Sequence, residues 1–495
     1  MDYFDILFAK KANGGNVDAY TKAETDALLA AKMDDVPVTS DDNDKVLTVI
    51  EGQWGKQLPP GYITFNSFKD LQRITRQGLA SQVLAIGDQL VCERMTAMNA
   101  TVGNSQGNQG ITAASVNKNT FIHAMGTSHN GDYEFYWDGA AWHYNSEAVE
   151  LSTYGISVTG TPALGDEIVV HETAASLVWD IIGIDKDTPA DAQFTHSITL
   201  QLHDCFAELQ FCARQALFAF PDGLAAGTYH FKLTAQPWYS GDVNKYIQFT
   251  LAQAIPANGV LVLNNAYNAT AIGATISSFA SCTATTATET VTMSEGSDGT
   301  DLGNVANAIS GNTNSIQRAL LGSNNWADSA LRQYINANKA AGSVWTPKTK
   351  WDRPPSWAST TDGLLYGMDE DFLGVIGDVT KVTALNTISD GGGSVTTTEK
   401  FFLVSRSEVY GGKENNINEG DPYPYYSDYS DLSAPGTGDD SNRIKYRNGS
   451  AKYWWLRSPN PGSATTPRFV IPSGAVSNYC NAATSSGVAP ACCII

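Results

Sequence analysis

The sequence predicts a multidomain, mainly β chain that ends in an α+β region, and three observations lead there. At 495 residues the chain exceeds the roughly 250–300 residues at which a single core stops growing, so it divides into several domains. Between Gly61 and Met293, short runs of alternating apolar and polar residues are punctuated by Gly, Asp, Asn and Pro, the texture of strands and tight turns. After Ser294 helical periodicity mixes with short strands.

The elements follow in order. Residues 1–60 form an N-terminal segment in which Thr21-Lys22-Ala23-Glu24 fits the capping box, so a short helix is expected over Thr21–Lys32. Its apolar stripe, Ala23, Ala27, Leu28 and Ala31, is too short to be stable alone, and parallel copies of itself are the simplest partners, hence an expected homotrimer. Residues 61–173 read as a small β domain. Within it YEFYWDGAAWHYN predicts a hairpin turning at Asp138-Gly139, with Tyr133, Phe135 and Trp137 facing Trp142 and Tyr144. The fragments LAIGDQLVCER and ALGDEIVVHET share a Gly-Asp turn before an alternating strand, which suggests a weak internal duplication.

Residues 174–495 read as one domain interrupted at 206–293 by an inserted β-sandwich, whose strands lie in AAGTYHFKLTAQPW, NKYIQFTLAQAI and GVLVLN. Beyond it, Ile316, Leu320, Trp326, Leu331 and Ile335 predict two short helices broken at Gly322–Asn325. FFLVS reads as a strand. The tail reads as three more strands around Tyr453–Arg457, Arg468–Ile471 and Gly487–Ile494, with Gly474 and Gly487 as turn points.

Composition narrows the function classes. With 51 Asp and Glu against 31 Lys and Arg, net −20, the chain repels a phosphate backbone, so nucleic acid is not an expected partner. Only 17% of residues are charged while Gly, Ser, Thr, Asn and Tyr abound, a profile of extracellular adhesive β proteins. The opening MDYFDILFAKKANGG lacks a signal-peptide core and no run of about 18 apolar residues occurs, so synthesis in a cytoplasm without membrane insertion is expected. The seven cysteines include no C-x-x-C pair, and no Asp-rich calcium loop is evident, so neither metal nor cofactor is expected.

Two resemblances add to this reading. The run YTKAETDALLAAKMD resembles segments of phage tail-fibre and baseplate proteins that precede trimeric receptor-binding modules, which implies attachment to other tail or baseplate proteins through the N-terminus and a homotrimer in the virion. In the C-terminal region, Asn325-Trp326 with Leu331–Asn336, Phe402-Leu403-Val404-Ser405 with Glu408, Trp454-Trp455-Leu456-Arg457-Ser458-Pro459, Gly474 with Val476, and Gly487-Val488-Ala489-Pro490-Ala491 resemble, in order and spacing, the C-type-lectin-like variable domains of phages and gut bacteria. Val178–Asp185 looks like that family's opening strand, and Ala489 departs from the Arg that many members carry.

Members of that family are often targets of diversity-generating retroelements, which randomise Asn codons and so cannot create Lys, Glu, Gln, Met or Trp. None of these five types occurs from Ser458 to Ser486. The resemblance therefore implies a phage tail receptor-binding adhesin that grips a bacterial surface receptor, protein or glycan. The expected contact patch is Ser463, Thr465, Thr466, Phe469, Ile471, Ser473, Ser477, Asn478, Tyr479, Asn481 and Thr484, with Phe469 and Tyr479 as aromatic anchors. Trp454, Trp455 and Leu456 are expected to be core behind it, and Arg457 to order a neighbouring loop.

Two alternatives stay open: a tail-associated glycan-degrading enzyme, or a variable ligand-binding protein on a cell surface. Paired carboxylates for the first could come from Asp369, Glu370 and Asp371 or from Asp421, Asp428 and Asp431, although solvated acidic loops explain both stretches. No Ser-His-Asp, H-E-x-x-H or phosphate-loop pattern occurs, and no cysteines are paired as the formylglycine-generating oxidases of similar fold require, so no catalytic residue is expected.

Overall fold

The computed structural model describes residues 46–50, 53–57, 67–125, 131–234, 244–263, 281–284, 290–306, 314–426, 441–477 and 480–495. Among the described residues the fold is mainly β, 40% strand against 15% helix, in several sheets. Two compact units divide the chain, residues 1–66 and 67–495. In the first, Val46–Ile50 pairs antiparallel with Gln53–Gln57; the helix expected over Thr21–Lys32 lies outside the described residues.

The second unit is organised on a sheet whose spine is the strand Asp166–Ile184. It pairs along its length with Gln89–Asn104, from Gln89 opposite Asp180 to Asn104 opposite Asp166. The two Gly-Asp fragments are thus partners in one ladder, each marking the start of one strand. Both turns are built alike. Asp88 accepts from the backbone N–H of Ala85 at 2.8 Å and Asp166 from that of Ala163 at 2.9 Å, while Gly87 and Gly165 take positive φ of 92° and 83°, where a Cβ is disfavoured. The shared motif is a turn device at opposite ends of an antiparallel pair.

The hairpin forms as its sequence predicts: Gly131–Trp137 pairs with Trp142–Tyr144, Trp137 facing Trp142. Asp138 accepts from the backbone of Ala140 and Ala141, both at 2.8 Å, and Gly139 sits at φ 101°. Phe121, Phe135, Ile168 and Val170 are fully buried beneath it. The spine strand then crosses position 173–174 without a break and its far half pairs with Ile198–Leu202. That strand pairs with Ala491–Ile494, which also meets Phe401–Phe402 and Ile376–Gly377. Residues on both sides of 173–174 therefore share one sheet.

A sandwich interrupts this unit. One sheet orders Phe218–Phe220, Gly259–Leu263, Ser281–Ala284 and Thr290–Thr292; the other orders Ser294–Glu295, Tyr246–Leu251, Gly227–Leu233, Thr300–Ala306 and Asn314–Ser315. Their alternating inward residues, Tyr229, Phe231 and Leu233 with Ile247, Phe249 and Leu251, pack on Leu261, Leu263 and the helix Ile316–Leu321 in a common core. The strand Ala207–Gln210 stands outside the sandwich and pairs with Ser485–Val488.

That last pairing opens a further sheet, ordered Ala207–Gln210, Ser485–Val488, Trp454–Pro459, Pro467–Val470 and Val476–Ser477. The helices Ile316–Leu321 and Ala330–Ile335 are separate, as expected, with Gly322 at φ 82° between them. The strand expected over Gly487–Ile494 is instead two strands in two sheets, divided at Ala489-Pro490; Pro490 has no N–H to continue a ladder. Gly487 is also not a turn point. It lies within a strand where an added Cβ would stand 2.5 Å from Cys205 Sγ and 2.7 Å from the Tyr453 carbonyl, so its role is close approach.

Candidate functional site: a loop surface pinned from beneath

The segment Ser458–Ser486 rests on Trp454, Trp455 and Leu456, all with no exposure. The indole N–H groups of Trp454 and Trp455 donate to the carbonyls of Arg443 at 2.8 Å and Leu209 at 2.9 Å, so both rings are fixed in orientation as well as buried.

Arg457 supplies the next layer. Its guanidinium, fully buried, forks onto Glu408 at 2.5 and 3.0 Å. It also donates to the carbonyls of Leu403 at 2.9 Å and Glu419 at 2.5 Å. Glu408 is itself half of a capping box: Ser405 accepts from the Glu408 N–H at 3.1 Å and Glu408 accepts from the Ser405 N–H at 2.7 Å, starting the helix Arg406–Tyr410. The FLVS-x-x-E and WWLRSP fragments are thus two halves of one buried charge pair. Burial works to raise the Glu408 carboxyl, but Arg457 and Lys381 outweigh it and hold the group below its usual value. Burial lifts the nearby Glu419 carboxyl to about 7, against the opposing pull of Arg457; Ser458 donates to it.

The backbone of the segment is held from below at several points. Asn324 donates through its amide to the carbonyls of Ser463 at 2.8 Å and Thr466 at 3.2 Å, and Arg318 to that of Ala464 at 3.2 Å. Ala482 donates to Thr465 at 2.8 Å and Ala483 to Leu321 at 2.9 Å. Arg468 forks onto Glu414 at 2.7 and 2.9 Å, and the Tyr410 hydroxyl donates to the Gly474 carbonyl. Most of these partners are buried side chains or backbone groups of other elements; two holds come from the segment's own side chains, Arg468 on Glu414 and the Ser463 hydroxyl, which accepts from the Thr465 N–H at 3.2 Å.

The expected contact residues divide on this frame. Ser473 and Thr484 are exposed, and Ser463, Ile471 and Asn481 are half-buried. Thr466 is half-buried with its hydroxyl hidden. Phe469 and Thr465 differ from expectation, at 3% and 2% exposure. Phe469 faces inward because its strand pairs it with Trp455, on whose ring it packs edge-on at 6.1 Å; it belongs to the scaffold. Asn478 and Tyr479 lie outside the described residues, as does the side chain of Ser477.

Two of the acidic candidates have structural partners. Asp369 caps the helix Glu370–Val375, accepting from Asp371 at 2.9 Å and Phe372 at 3.3 Å, and Glu370 lies 3.4 Å from His123. Asp421 is exposed, and Asp428 and Asp431 lie outside the described residues. Burial pushes the thiols of Cys92, Cys205 and Cys212 up to about 12, which keeps them from acting as thiolate nucleophiles. Among the described residues no group of His, Cys, Asp or Glu converges as a metal ion requires, and no helix is long and apolar enough to cross a membrane.

Fold and site together define a mainly β, multidomain protein with a rigidly supported loop surface near its C-terminus. Residues 303–495 match the model of a domain of unknown function, DUF6273, a span that holds all five fragments of the C-terminal pattern. No curated protein and no solved structure matches the chain.

Proposed function

We propose that this chain is a phage tail receptor-binding adhesin, whose C-terminal domain is of the C-type-lectin-like variable kind and binds a bacterial surface receptor. One observation carries the reading. The stretch Ser458–Ser486, free of the five residue types that randomised Asn codons cannot encode, is held largely through its backbone by buried partners, while Ser473 and Thr484 face solvent. A surface meant to vary needs that separation, because changes at exposed positions on a rigid frame cost little and core changes cost several kcal/mol. Small polar residues with an occasional aromatic give contact area and hydrogen bonds at low side-chain entropy. The patch so revised comprises Ser463, Ile471, Ser473, Asn481 and Thr484 with Ser477, Asn478 and Tyr479; the N-terminal segment joins a homotrimer to the tail.

The neighbouring DNA tests the variable domain directly. A reverse-transcriptase gene beside a near-copy of the Trp454–Ile495 coding region supports it, and an intact locus lacking both overturns it. Tyr479→Ala should lower adsorption to host cells more than about tenfold, equivalent to roughly 1.4 kcal/mol per site; unchanged adsorption removes Tyr479 from the patch.

A further inference from the structure

A second cluster lies deeper and shares Glu408 with the support of the loop surface. Lys381, on the strand Val379–Ala384, has a side chain 3% exposed and is in ion-pair contact with Asp187, 7% exposed. The two residues are 194 positions apart. The two oxygens of Asp187 have different surroundings. Oδ1 meets the Lys381 ammonium, while Oδ2 accepts from the Thr199 hydroxyl at 2.6 Å and the Tyr423 hydroxyl at 2.8 Å, with Cys493 Sγ at 3.5 Å. On the far side of the amine, Glu408 Oε1 stands 3.0 Å from Lys381 Nζ. The Phe402 ring, 3.8 Å from Nζ, closes the site.

We propose that Lys381 and Asp187 condense to an intramolecular isopeptide bond, with Glu408 relaying the proton and Thr199 and Tyr423 holding the oxyanion. Glu408 takes a proton from the ammonium. The freed Nζ lone pair attacks Asp187 Cγ, and the carbonyl electrons move to Oδ2 between its two hydroxyl donors. The Nζ–Cγ bond forms, the Cγ–Oδ1 bond breaks, and Oδ1 leaves as water with two of the three ammonium hydrogens, one of them delivered by Glu408. One hydrogen stays on the amide nitrogen, Glu408 ends as it began, and no oxidant or co-reactant is consumed.

Three physical features favour this outcome. The reacting groups are held in contact by the fold, so the effective concentration is very high. Donors already point at the oxygen on which charge develops, the arrangement that stabilises acyl-transfer intermediates. Condensation also removes two buried charges. Burial works against both, and they persist as an ion pair through each other's field, whereas an amide carries no such desolvation cost. The neighbouring Arg457–Glu408 pair stays balanced in charge. The step needs to occur only once per molecule, so slow chemistry suffices. Its product is a covalent tie across the chain that carries the sandwich, independent of whether the adhesive reading holds.

The test is denaturing mass spectrometry of the purified full-length chain, followed by peptide mapping. The expected result is an intact mass lighter than the sequence by one water and a branched peptide joining Lys381 to Asp187. Finding Lys381 and Asp187 in separate linear peptides overturns the proposal, as does a branch at any other pair. Lys381→Arg and Asp187→Ala should abolish the branch. Because those changes disturb a buried charge, the milder Thr199→Val serves as a second arm: in chain sampled at intervals after a pulse of synthesis, the branched peptide should form at least about tenfold more slowly. An unchanged rate overturns the oxyanion assignment.

Discussion

Replacing Arg457 with Met tests whether the buried charge pair supports the loop surface. The substitution keeps length and apolar bulk but removes the fork onto Glu408 and the donors to Leu403 and Glu419. Glu408, 2% exposed, then keeps only Lys381 and its capping contacts. Breaking one side of such a pair costs about 3–5 kcal/mol, and each orphaned carbonyl adds roughly 1 kcal/mol or less since Met offers no donor in exchange. For a cooperative unit as long as residues 67–495 each kcal/mol moves the midpoint by about 1 °C, so the transition of this unit should fall on the order of 5 °C. Arg457→Lys should lose about half as much, because an ammonium supplies the charge without the planar fork. Calorimetry on the full chain, with a urea titration to give the free energy, reads both. A loss below about 1 kcal/mol for Arg457→Met would refute the reasoning, since it would mean that Glu408 needs no buried partner.

Three further outcomes follow from the same geometry. Glu419 has a folded value near 7 against an ordinary 4.5, so the folded state binds the extra proton between those limits; stability is full below about pH 4.5 and falls by roughly 3 kcal/mol as pH rises through 7, and Glu419→Gln should flatten that slope in denaturant midpoints taken across the range. Phe469→Ala should cost about 3–5 kcal/mol while Ser473→Ala and Thr484→Ala stay within about 0.5 kcal/mol; equal effects in thermal melts would erase the division between scaffold and surface. Gly487→Ala, which drives a Cβ against Cys205 Sγ and the Tyr453 carbonyl, should cost about 1–3 kcal/mol, and a neutral result by the same assay would mean that the two strands can part without loss.

The elements legible in the sequence are those whose cause is local. The hairpin at Asp138-Gly139, the two Gly-Asp turns, the helix break at Gly322 and the strand at Trp454 each depend on neighbours a few residues apart, through periodicity, positive φ or a side chain that accepts from its own turn. Ser405 and Glu408 enter the sequence reading only as part of the C-terminal pattern, and the capping box they form, with the grip of Glu408 on Arg457, appears only in the fold. The mainly β class follows from the same local causes summed along the chain.

Tertiary structure decided what depends on register and on long closures. Phe469 and Ser473 belong to one Gly-punctuated stretch with no marker separating them, and only the pairing of Phe469 with Trp455 turns one inward. The last residues read as a single apolar strand until two sheets claim its halves at Pro490. The strand Ala207–Gln210 reads as the start of the sandwich because nothing in its own residues names the distant Ser485–Val488 as its partner. The contact between Asp187 and Lys381, 194 residues apart, leaves no trace in either neighbourhood. Side-chain preferences act over a turn or two of chain, whereas which charges meet in the interior is set by how the sheets close, and that closure is a property of the whole fold.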